Sequence, residues 1–409
     1  MGDGKNRIFK LEGKVQYYDW GGNSYLPELL NRPNPEKKPF AEYWMGAHNK
    51  ASSILFLGEG RSISLNEFIH ANSKEALGSS VSRKFGRLPF LLKILDVKDM
   101  LSIQVHPNKK DAEREFKIEN KKDIPLHSPV RNYKDDNHKP ELMVALSEFW
   151  LLHGFKPRQE LINILEKTPE LRILGQTFDK SGYKGLYKMV MTMDQHGVES
   201  MLQPLISRII PAYEKGELQK SDENFWAARA ALTFNKAGSI DRGIFSIYFF
   251  NLVHLRPFEG IFQDAGLPHA YLEGQNIEIM ANSDNVLRAG LTPKHVDVPE
   301  LMKQVAFRET IPNIVHGKAK TSKIKVFSTP TPDFELSLIT LNKEDLLNLS
   351  PSTMEIFFLL RGSVIVKENP QHQFMRNRGE AFVVMNNARF DLKSTADTLI
   401  CKAGVGVGN

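Results

Sequence analysis

The sequence of 409 residues predicts a mainly β protein that is interrupted by a block of helices. From Lys10 to about Lys156, short β-branched and aromatic runs are separated by Gly, Pro and Asn, a pattern typical of antiparallel strands. A middle block instead has apolar residues at intervals of three and four, and the strand pattern returns after it. A chain of this length exceeds one average domain, so we expect two or three units with cores of their own.

These changes of pattern divide the chain into four parts. Residues 1–155 form the first part of a β domain, residues 156–243 a helical insertion, and residues 244–320 the second part of the same β domain. Residues 321–409 form a smaller β domain that begins with a Thr/Pro/Lys-rich connector, 321–332. The insertion therefore separates two sequence segments that we expect to fold together.

Helical spacing predicts the elements of the insertion, and alternation predicts those that follow it. The predicted helices are Gln159–Glu166, Lys184–Asp194, Gly197–Ile210 and Asp222–Leu232. The aromatic run Phe245–Phe250 predicts the first strand after the insertion. The strands predicted for the smaller domain are Phe334–Leu341, Glu355–Lys367, Gly379–Val384 and Thr398–Lys402.

The composition excludes few functions, but it limits the partners and the cellular compartment that we expect. The formal net charge is +6, yet the basic residues are spread along the chain and match no nucleic-acid-binding motif, so we expect no nucleic-acid partner. No apolar run approaches the ~18 residues of a membrane span, so we expect no membrane association. The start of the chain has no apolar signal-like segment, and Cys401 is the single cysteine. A cytoplasmic location is the default expectation.

Three short segments carry side chains that can hold a metal: Gln104–Pro107, His138–Glu141 and Gly266–His269. If the chain around Gln104 is extended, Ser102, Gln104 and His106 point to one face and the apolar residues between them to the other. The candidate donors are the imidazoles of His106 and His269, the Glu141 carboxylate and the Gln104 amide oxygen. This mixed N/O set suits zinc or a similar first-row ion, and we expect one ion per chain.

Taken singly, each of these residues has a structural explanation, since an isolated histidine is commonly a core or loop residue. The surrounding motifs, in order, resemble those of the type I mannose-6-phosphate isomerase family. They are Tyr18–Gly21, Ala41–His48, Pro89–Leu95, Leu101–Asn108, Asn137–Glu141, Gly266–Tyr271 and Glu278–Lys294. The resemblance covers most of the chain, while the middle and the last quarter match in length and pattern only.

The resemblance implies a cupin-type β-barrel, or jelly roll, as the catalytic domain, a helical domain and a second, smaller, metal-free cupin-like β domain. It implies that Gln104, His106, Glu141 and His269 are the zinc ligands. Two departures occur. In an ordinary cupin the glutamate follows the His pair within a few residues, whereas here a long charged stretch, 108–137, lies between His106 and Glu141. The chain also reads Glu-Tyr-Trp at 42–44 and Ala-His-Asn at 47–49 where the family more often has Glu-Leu-Trp and Ala-His-Pro.

The activity implied by the resemblance is the interconversion of mannose 6-phosphate and fructose 6-phosphate, which places the chain in carbohydrate metabolism and GDP-mannose biosynthesis. A proton must move between C1 and C2 through an enediol while developing charge on oxygen is stabilised. Glu278 is our first choice for the base, with Asp284 as its competitor or as a turn residue. Arg288 is a candidate for holding the enediolate or the phosphate. Lys139 is a candidate proton relay or a support for the ligands.

Substrate-binding candidates surround these groups. Lys93 interrupts an apolar run, so it needs an anionic partner, which is either the sugar phosphate or an internal carboxylate. His138, next to Lys139, is a relay or a support. The remaining candidates for lining the sugar pocket are Trp20, Trp44, Ser102 and Tyr271, although aromatic residues in a β protein are more commonly core.

Two other classes of function stay open from the sequence. A cupin-like chain can be a non-catalytic sugar-binding or regulatory protein, since fold does not dictate activity. It can also be an iron-dependent oxygenase. Glutamine in place of the first histidine and a set of cations suited to phosphate favour the isomerase. The sequence does not fix the oligomeric state, for which a monomer is the default expectation.

Overall fold

The computed structural model describes residues 6–235 and 238–406. The strands of the first half are β1 (Ile8–Glu12), β2 (Lys14–Gln16), β3 (Glu42–Gly46), β4 (Ile54–Gly58), β5 (Arg61–Ser64), β6 (Phe90–Val97), β7 (Gln104–Val105), β8 (Glu141–Ala145) and β9 (Phe149–Phe155). Those of the second half are β10 (Phe250–Leu255), β11 (Glu259–Gln263), β12 (His269–Ala281), β13 (Leu287–Arg288), β14 (Ile314–His316), β15 (Lys318–Ala319), β16 (Ile324–Phe327), β17 (Glu335–Leu341), β18 (Leu346–Leu349), β19 (Glu355–Arg361), β20 (Ser363–Asn369), β21 (His372–Asn377), β22 (Ala381–Val384), β23 (Phe390–Ser394) and β24 (Thr398–Gly404).

The helices lie between and within these strand regions. They are α1 (Tyr25–Leu29), α2 (Leu65–Ala71), α3 (Ser73–Leu77), α4 (Ser79–Phe85), α5 (Lys109–Lys121), α6 (Arg158–Lys167), α7 (Leu174–Thr192), α8 (Gln195–Glu214), α9 (Glu223–Phe234), α10 (Gly243–Phe249) and α11 (Val298–Gln304). In the described part of the chain, none of them combines the length and the apolar character that crossing a membrane requires.

Three antiparallel sheets organise the described residues, and none of them closes on itself. The first large sheet has the order β14-β11-β8-β12-β6-β3-β2, with β7, β9, β10 and β13 joined to it through the long strand β12 and its neighbours. The second has the order β15-β16-β17-β24-β19-β22-β1-β4-β5, and a small sheet has the order β18-β23-β20-β21. This sheet-rich architecture confirms the prediction of a mainly β protein with a helical block.

Alternation along the central strands gives the first large sheet two different faces. On β12, Ile277 and Ile279 enter an apolar core that also includes Leu338 and Phe358 of the second large sheet. The intervening Glu278 and the following Met280 point to the opposite face. Strands β6 and β8 alternate in the same way, so one face of the sheet is core and the other is available for polar side chains.

The second large sheet and the small sheet enclose a separate core of aliphatic and aromatic side chains, among them Phe357, Phe382 and Phe390. Strand β1 pairs with both β22 and β4, and β4 pairs with β5, so the start of the chain contributes strands to the sheet that holds the C-terminal strands. The four-part division of the chain stays a prediction. The strand pairing joins its first and last parts in one sheet.

The helices of the insertion share one large core with strands of the first large sheet, among them β9 and β12. Each predicted helix there overlaps a helix of the structure: α6, α7, α8 and α9. Helix α7 is broken at Gly182, whose φ of 60° lies in the left-handed region that favours glycine. The predicted helix Lys184–Asp194 therefore corresponds to the part of α7 after this break.

Some predicted elements differ from the structure. The sequence pattern predicts a strand over Phe245–Phe250, but Gly243–Phe249 is helix α10 and the strand begins only at Phe250. All seven residues of α10 are buried, so no polar face shows the helical period, and the aromatic, β-branched composition alone favours a strand. Helices α1 to α5 lie within a region predicted as strands. Helix α5 begins after Asn108, whose side chain accepts a hydrogen bond from the Asp111 amide.

Candidate active site and metal centre

The long strand β12 brings the predicted site segments together because it pairs with several strands in turn. Near its start, His269 lies directly opposite Gln104 of β7, and Gln104 is in turn opposite Arg288 of β13. Near its end, Glu278 is opposite Lys93 of β6, and Met280 is opposite Glu141 of β8. Residues from sequence positions 93 to 288 thus converge on one face of the sheet.

His106, Glu141 and His269 form the cluster of three potential metal ligands that the described residues contain. Their donor atoms all lie within 4.8 Å of one another, and all three residues are buried. Nε2 of His106 is 3.5 Å from one Glu141 carboxylate oxygen, and Nε2 of His269 is 3.3 Å from the other. One carboxylate thus faces two imidazole nitrogens, as in a site built for a divalent cation.

Backbone contacts set the orientation of both imidazole rings. Nδ1 of His106 donates to the carbonyl of Asn285 at 2.8 Å, and Nδ1 of His269 donates to that of Leu267 at 2.9 Å. Each neutral ring then carries its lone pair on Nε2, the nitrogen that faces Glu141. Burial, followed by the charge of Lys139, lowers the pKa of His106 to about 4, which keeps this ring neutral.

Lys139 lies on the same side of its segment as Glu141, as the sequence predicts. Its Nζ is 2.7 Å from a Glu141 oxygen. Burial alone would raise the pKa of Glu141, but Lys139 and His106 outweigh burial and hold it well below the usual value. Glu141 is therefore an anionic candidate ligand, and the buried Lys139 lies beside it.

A second buried cluster surrounds Lys93, deeper in the same face. Nζ of Lys93 is 2.9 Å from Glu278 and 3.2 Å from Glu42, and it lies 5.0 Å from the centre of the Trp44 ring. The hydroxyl of Tyr271 donates to the other Glu278 oxygen at 2.9 Å. The anionic partners of Lys93 are thus internal carboxylates. A direct contact between Lys93 and a substrate stays a prediction.

The charges in this cluster decide the properties of Glu278. Burial raises the pKa of Glu278, and although Lys93 opposes the shift, the charge of Glu141 adds to it. A carboxylate with a raised pKa accepts a proton more readily near neutral pH. Burial and the charge of Glu278 raise the pKa of Tyr271 well above its usual value, so Tyr271 stays a hydroxyl donor.

Asp284, the competing base, has a different environment. One of its oxygens is 3.5 Å from Nε2 of His48, and the other is 2.8 Å from Nζ of Lys50. Burial alone would raise the pKa of Asp284, but His48 and Lys50 together lower it strongly. Asp284 is therefore a weaker proton acceptor than Glu278 at neutral pH.

Arg288 lies opposite Gln104 on the sheet and interacts electrostatically with two lysines, Lys134 and Lys294. Burial lowers the pKa of Arg288, and no carboxylate lies within ion-pair distance of it in the described part of the chain. Burial, then the charge of Arg288, lowers the pKa of Lys294. A cation without a carboxylate at ion-pair distance, as Arg288 is, suits an anionic ligand such as a phosphate group.

The remaining predicted residues lie around this face. Ser102 is half-buried in a segment whose neighbours bond to Tyr271 and Gly290. Trp20 stacks on Tyr18 with ring centres 5.8 Å apart. His138 turns away from Glu141 and contacts Asp333, with its Nε2 3.1 Å from both carboxylate oxygens.

The sequence interpretation missed Glu42 and Lys294 as site residues. Glu42 lies on β3 two positions before Trp44, so alternation places both on one face, and the Trp44 ring N–H donates to the Glu42 carboxylate. Lys294 ends the same motif that contains Arg288. Both residues lie within the motifs quoted from the sequence, and this position was the signal that could have identified them.

Comparison with known proteins agrees with this site. Residues 8–158 match the type I phosphomannose isomerase catalytic domain. The chain is 36% identical over 389 residues to the mannose-6-phosphate isomerase of Escherichia coli (strain K12), a match that covers 94% of this chain and 96% of that protein. It is 32% identical over 430 residues to the Homo sapiens mannose-6-phosphate isomerase, covering 97% and 98%.

A solved structure gives the same result in three dimensions. The crystal structure of mannose 6-phosphate isomerase from Salmonella typhimurium, bound to its substrate and to zinc, superposes with a TM-score of 0.87. The sequences are 31% identical, and the match covers 98% of this chain and 100% of that chain. The sheets and the buried His/Glu/His cluster define a cupin-fold protein with a metal centre. The identities over nearly the whole chain show that it belongs to the type I phosphomannose isomerase family.

Proposed function

We propose that this chain is a zinc-dependent aldose–ketose isomerase that interconverts mannose 6-phosphate and fructose 6-phosphate. The observation that carries the proposal is the convergence, on one face of β12 and its neighbours, of the metal-ligand cluster, the raised-pKa carboxylate Glu278 and the cation Arg288. Membership in the phosphomannose isomerase family and the relative bound to zinc and substrate support the same reaction. They also argue against an oxygenase and against a binding-only protein.

The buried residues fit a zinc ion. Nε2 of His106 is fully buried and has no hydrogen-bond partner among residues 6–235 and 238–406, a costly arrangement unless a cation takes its lone pair. His106, Glu141 and His269 would hold the ion, and Gln104, opposite His269 in the sheet, is the proposed fourth ligand. When bound, a zinc ion supplies Lewis-acid stabilisation of charge on a substrate oxygen. One carboxylate and neutral donors leave the ion with about one net positive charge.

Glu278 is the proposed proton carrier. Its carboxylate is held between Lys93 and the Tyr271 hydroxyl, so its orientation is fixed before substrate binds. It takes the proton from C2 of the open-chain aldose and returns it to C1 of the enediol, while one hydroxyl proton passes from O2 to O1, and the reverse reaction uses the same carboxylate. Lys93 favours the charged form of Glu278, the form that accepts the proton. Asp284 remains the alternative carrier.

Arg288 and its neighbouring lysines are proposed to hold the negative charges of the substrate. Arg288 lies next to Gln104 on the sheet, where it can stabilise charge that develops on the sugar oxygens. Lys134 and Lys294, both lowered in pKa by burial, are candidates for the phosphate. Lys139 is proposed to relay protons or to support Glu141. Trp20, Trp44, Ser102 and Tyr271 are proposed to line the sugar pocket, and His138, which contacts Asp333, is proposed to support the ligand segment.

The reaction is tested with purified protein, mannose 6-phosphate and a measurement of fructose 6-phosphate. We expect conversion in the zinc-loaded protein, loss of conversion with a chelator, and recovery when zinc is restored. Run in heavy water, the reaction should exchange substrate hydrogen with solvent, and Glu278→Gln should suppress turnover and exchange together while metal content is unchanged. If Glu278→Gln is near wild type while Asp284→Asn is inactive, the base assignment is wrong. Absence of conversion under all conditions contradicts the function itself.

We also propose a cytoplasmic location and a monomeric state. The single cysteine, Cys401, is buried and free, which suits a reducing compartment. Cell fractionation with an activity measurement tests the location. Light scattering of the purified chain tests the oligomeric state.

A further inference from the structure

We propose that Asp333 of the C-terminal strands is a positioning residue for the active site and acts through His138. The inference rests on the proposed isomerase function. Asp333 directly follows the 321–332 connector and precedes β17, which belongs to the second large sheet. His138 directly precedes Lys139, which contacts the metal-ligand candidate Glu141. The contact between Asp333 and His138 thus joins the metal-free sheet to the segment that carries the reaction.

The ring nitrogen Nε2 of His138 lies between the two carboxylate oxygens of Asp333, which both accept. Nε2 of His138 lies 3.1 Å from each carboxylate oxygen of Asp333. Donation from Nε2 sets the tautomer and the plane of the ring, because a neutral imidazole has one N–H. His138 and Lys139 therefore leave the chain on opposite sides, one toward Asp333 and the other toward Glu141 at 2.7 Å.

Asp333 is itself firmly placed. Its side chain is buried, and the hydroxyl of Thr331 donates to it at 2.6 Å. The next residue, Phe334, is 1% exposed and lies in the core between the two large sheets. Burial would raise the pKa of Asp333, but His138 and Thr331 outweigh burial and lower it, so the carboxylate stays charged. A buried, charged and anchored acceptor can hold the ring of His138 in one place.

The held segment is anchored at both ends. Asn137 is fixed by Ser283 and Asn285, whose side chains donate to its carbonyl at 3.2 and 2.8 Å. At the other end, the carbonyl of Pro140 accepts from the Ala281 amide at 3.1 Å, and the ladder of β8 begins at Glu141. Between these anchors, His138 contacts the C-terminal strands through Asp333. A shift of this segment by about 1 Å would move Lys139 and Glu141 together, and such displacements cost on the order of a hundredfold in rate.

A double-mutant cycle tests this role, with Asp333→Ala, His138→Ala and the double variant. Two quantities are measured: the zinc affinity of the metal-free protein by chelator competition, without substrate, and kcat and KM for mannose 6-phosphate. We expect each single variant to lose about tenfold in zinc affinity and in kcat. Because Asp333 acts through His138, the double variant should lose no more than the His138 single variant. Asp345→Ala, which removes a carboxylate 2.9 Å from Lys323 in the same C-terminal strands, is the control and should match wild type.

Other outcomes overturn the inference. If Asp333→Ala lowers the melting temperature but leaves zinc affinity and kcat at wild-type values, Asp333 has a structural role only. Losses that multiply in the double variant mean that the two residues act separately. If Asp333→Ala does not fold, Asp333→Asn takes its place in the cycle under the same criteria. Wild-type protein that does not isomerise mannose 6-phosphate contradicts the proposed function, whereas the zinc-affinity cycle still decides the role of Asp333.

Discussion

Strand alternation has opposite results in two regions of the molecule. One region is the face of the first large sheet that carries β12. The other is the interior between the second large sheet and the small sheet. The C-terminal interior is filled by aliphatic and aromatic side chains, and the rings of Phe357 and Phe382 stack with centres 4.7 Å apart. The β12 face instead buries Lys93 and Glu278, with the metal-ligand candidates beside them.

The difference shows what a polar interior is for. In the C-terminal part, the buried hydroxyl of Ser394 donates to Thr398 at 3.0 Å, so local partners satisfy both groups. Near the metal-ligand cluster, the ring Nε2 of His106 and the side-chain amide of Gln263 are buried without a hydrogen-bond partner among the described residues, and so are the Ser337 hydroxyl and Nε of Arg376 in the C-terminal strands. Unsatisfied buried polar groups cost stability. The difference lies in the neighbours of His106: its ring shares a cluster with a carboxylate and a second imidazole, which a metal ion can complete, so the function belongs to this site rather than to the fold.

The largest expected effect is the loss of a metal ligand. His106→Ala removes one of two imidazoles from the cluster and should lower kcat/KM by at least about a hundredfold, with a parallel loss of bound metal. Elemental analysis and the isomerase assay on the same preparation measure both. His254→Ala is the matched control, because this ring stacks on Trp150 outside the cluster. A His106→Ala protein that retains both metal and activity would show that this face has no metal function.

The next effect separates metal binding from charge stabilisation. Arg288→Ala should lower kcat by about a hundredfold while the metal stays bound, since the guanidinium acts on charge that develops during the reaction. If Arg288 mainly holds the phosphate, KM rises instead. The exposed Arg361 on β19 serves as the control position. Unchanged kcat and KM would remove Arg288 from the site.

A third change tests the apolar interior. Phe357→Ala should lower the free energy of unfolding by about 3–5 kcal/mol, the usual cost of emptying a buried aromatic position. Zinc affinity should change little, because Phe357 lies in the core shared with the small sheet. Denaturant unfolding and chelator competition measure the two properties. Loss of zinc affinity with little loss of stability would contradict the separation of the two interiors.

The smallest effect is expected for the amide ligand. Gln104→Ala should weaken zinc binding only modestly, because a water molecule can replace a neutral amide oxygen while both imidazoles and the carboxylate remain. Competition with a chelator of known affinity compares it with His106→Ala. Equal losses in the two variants would mean that Gln104 matters as much as the imidazoles.

The sequence predicted the elements whose signal is local or periodic. Apolar spacing was sufficient to predict helices α6, α8 and α9. The short sequence motifs were sufficient to predict the cluster of His106, Glu141 and His269. The spacing failed for α10, because a helix buried on all sides has no polar face.

What could not be predicted are contacts that depend on tertiary packing. The partners of Lys93 come from β3 and β12, and the pairing of Glu42 with Lys93 is not visible in any short segment. Likewise, the contact of His138 with Asp333 joins residues 195 positions apart. The placement of β1 between β22 and β4 is of the same kind, since strand order is set by the whole fold.

The most direct test of the contrast between the two interiors is a chelator titration of one preparation, with zinc content, isomerase activity and circular dichroism measured at each point. The account predicts that activity falls in proportion to zinc, from about one ion per chain, and returns when zinc is added back, while the circular dichroism signal of the folded chain is kept. A preparation that is free of metal and fully active would contradict it.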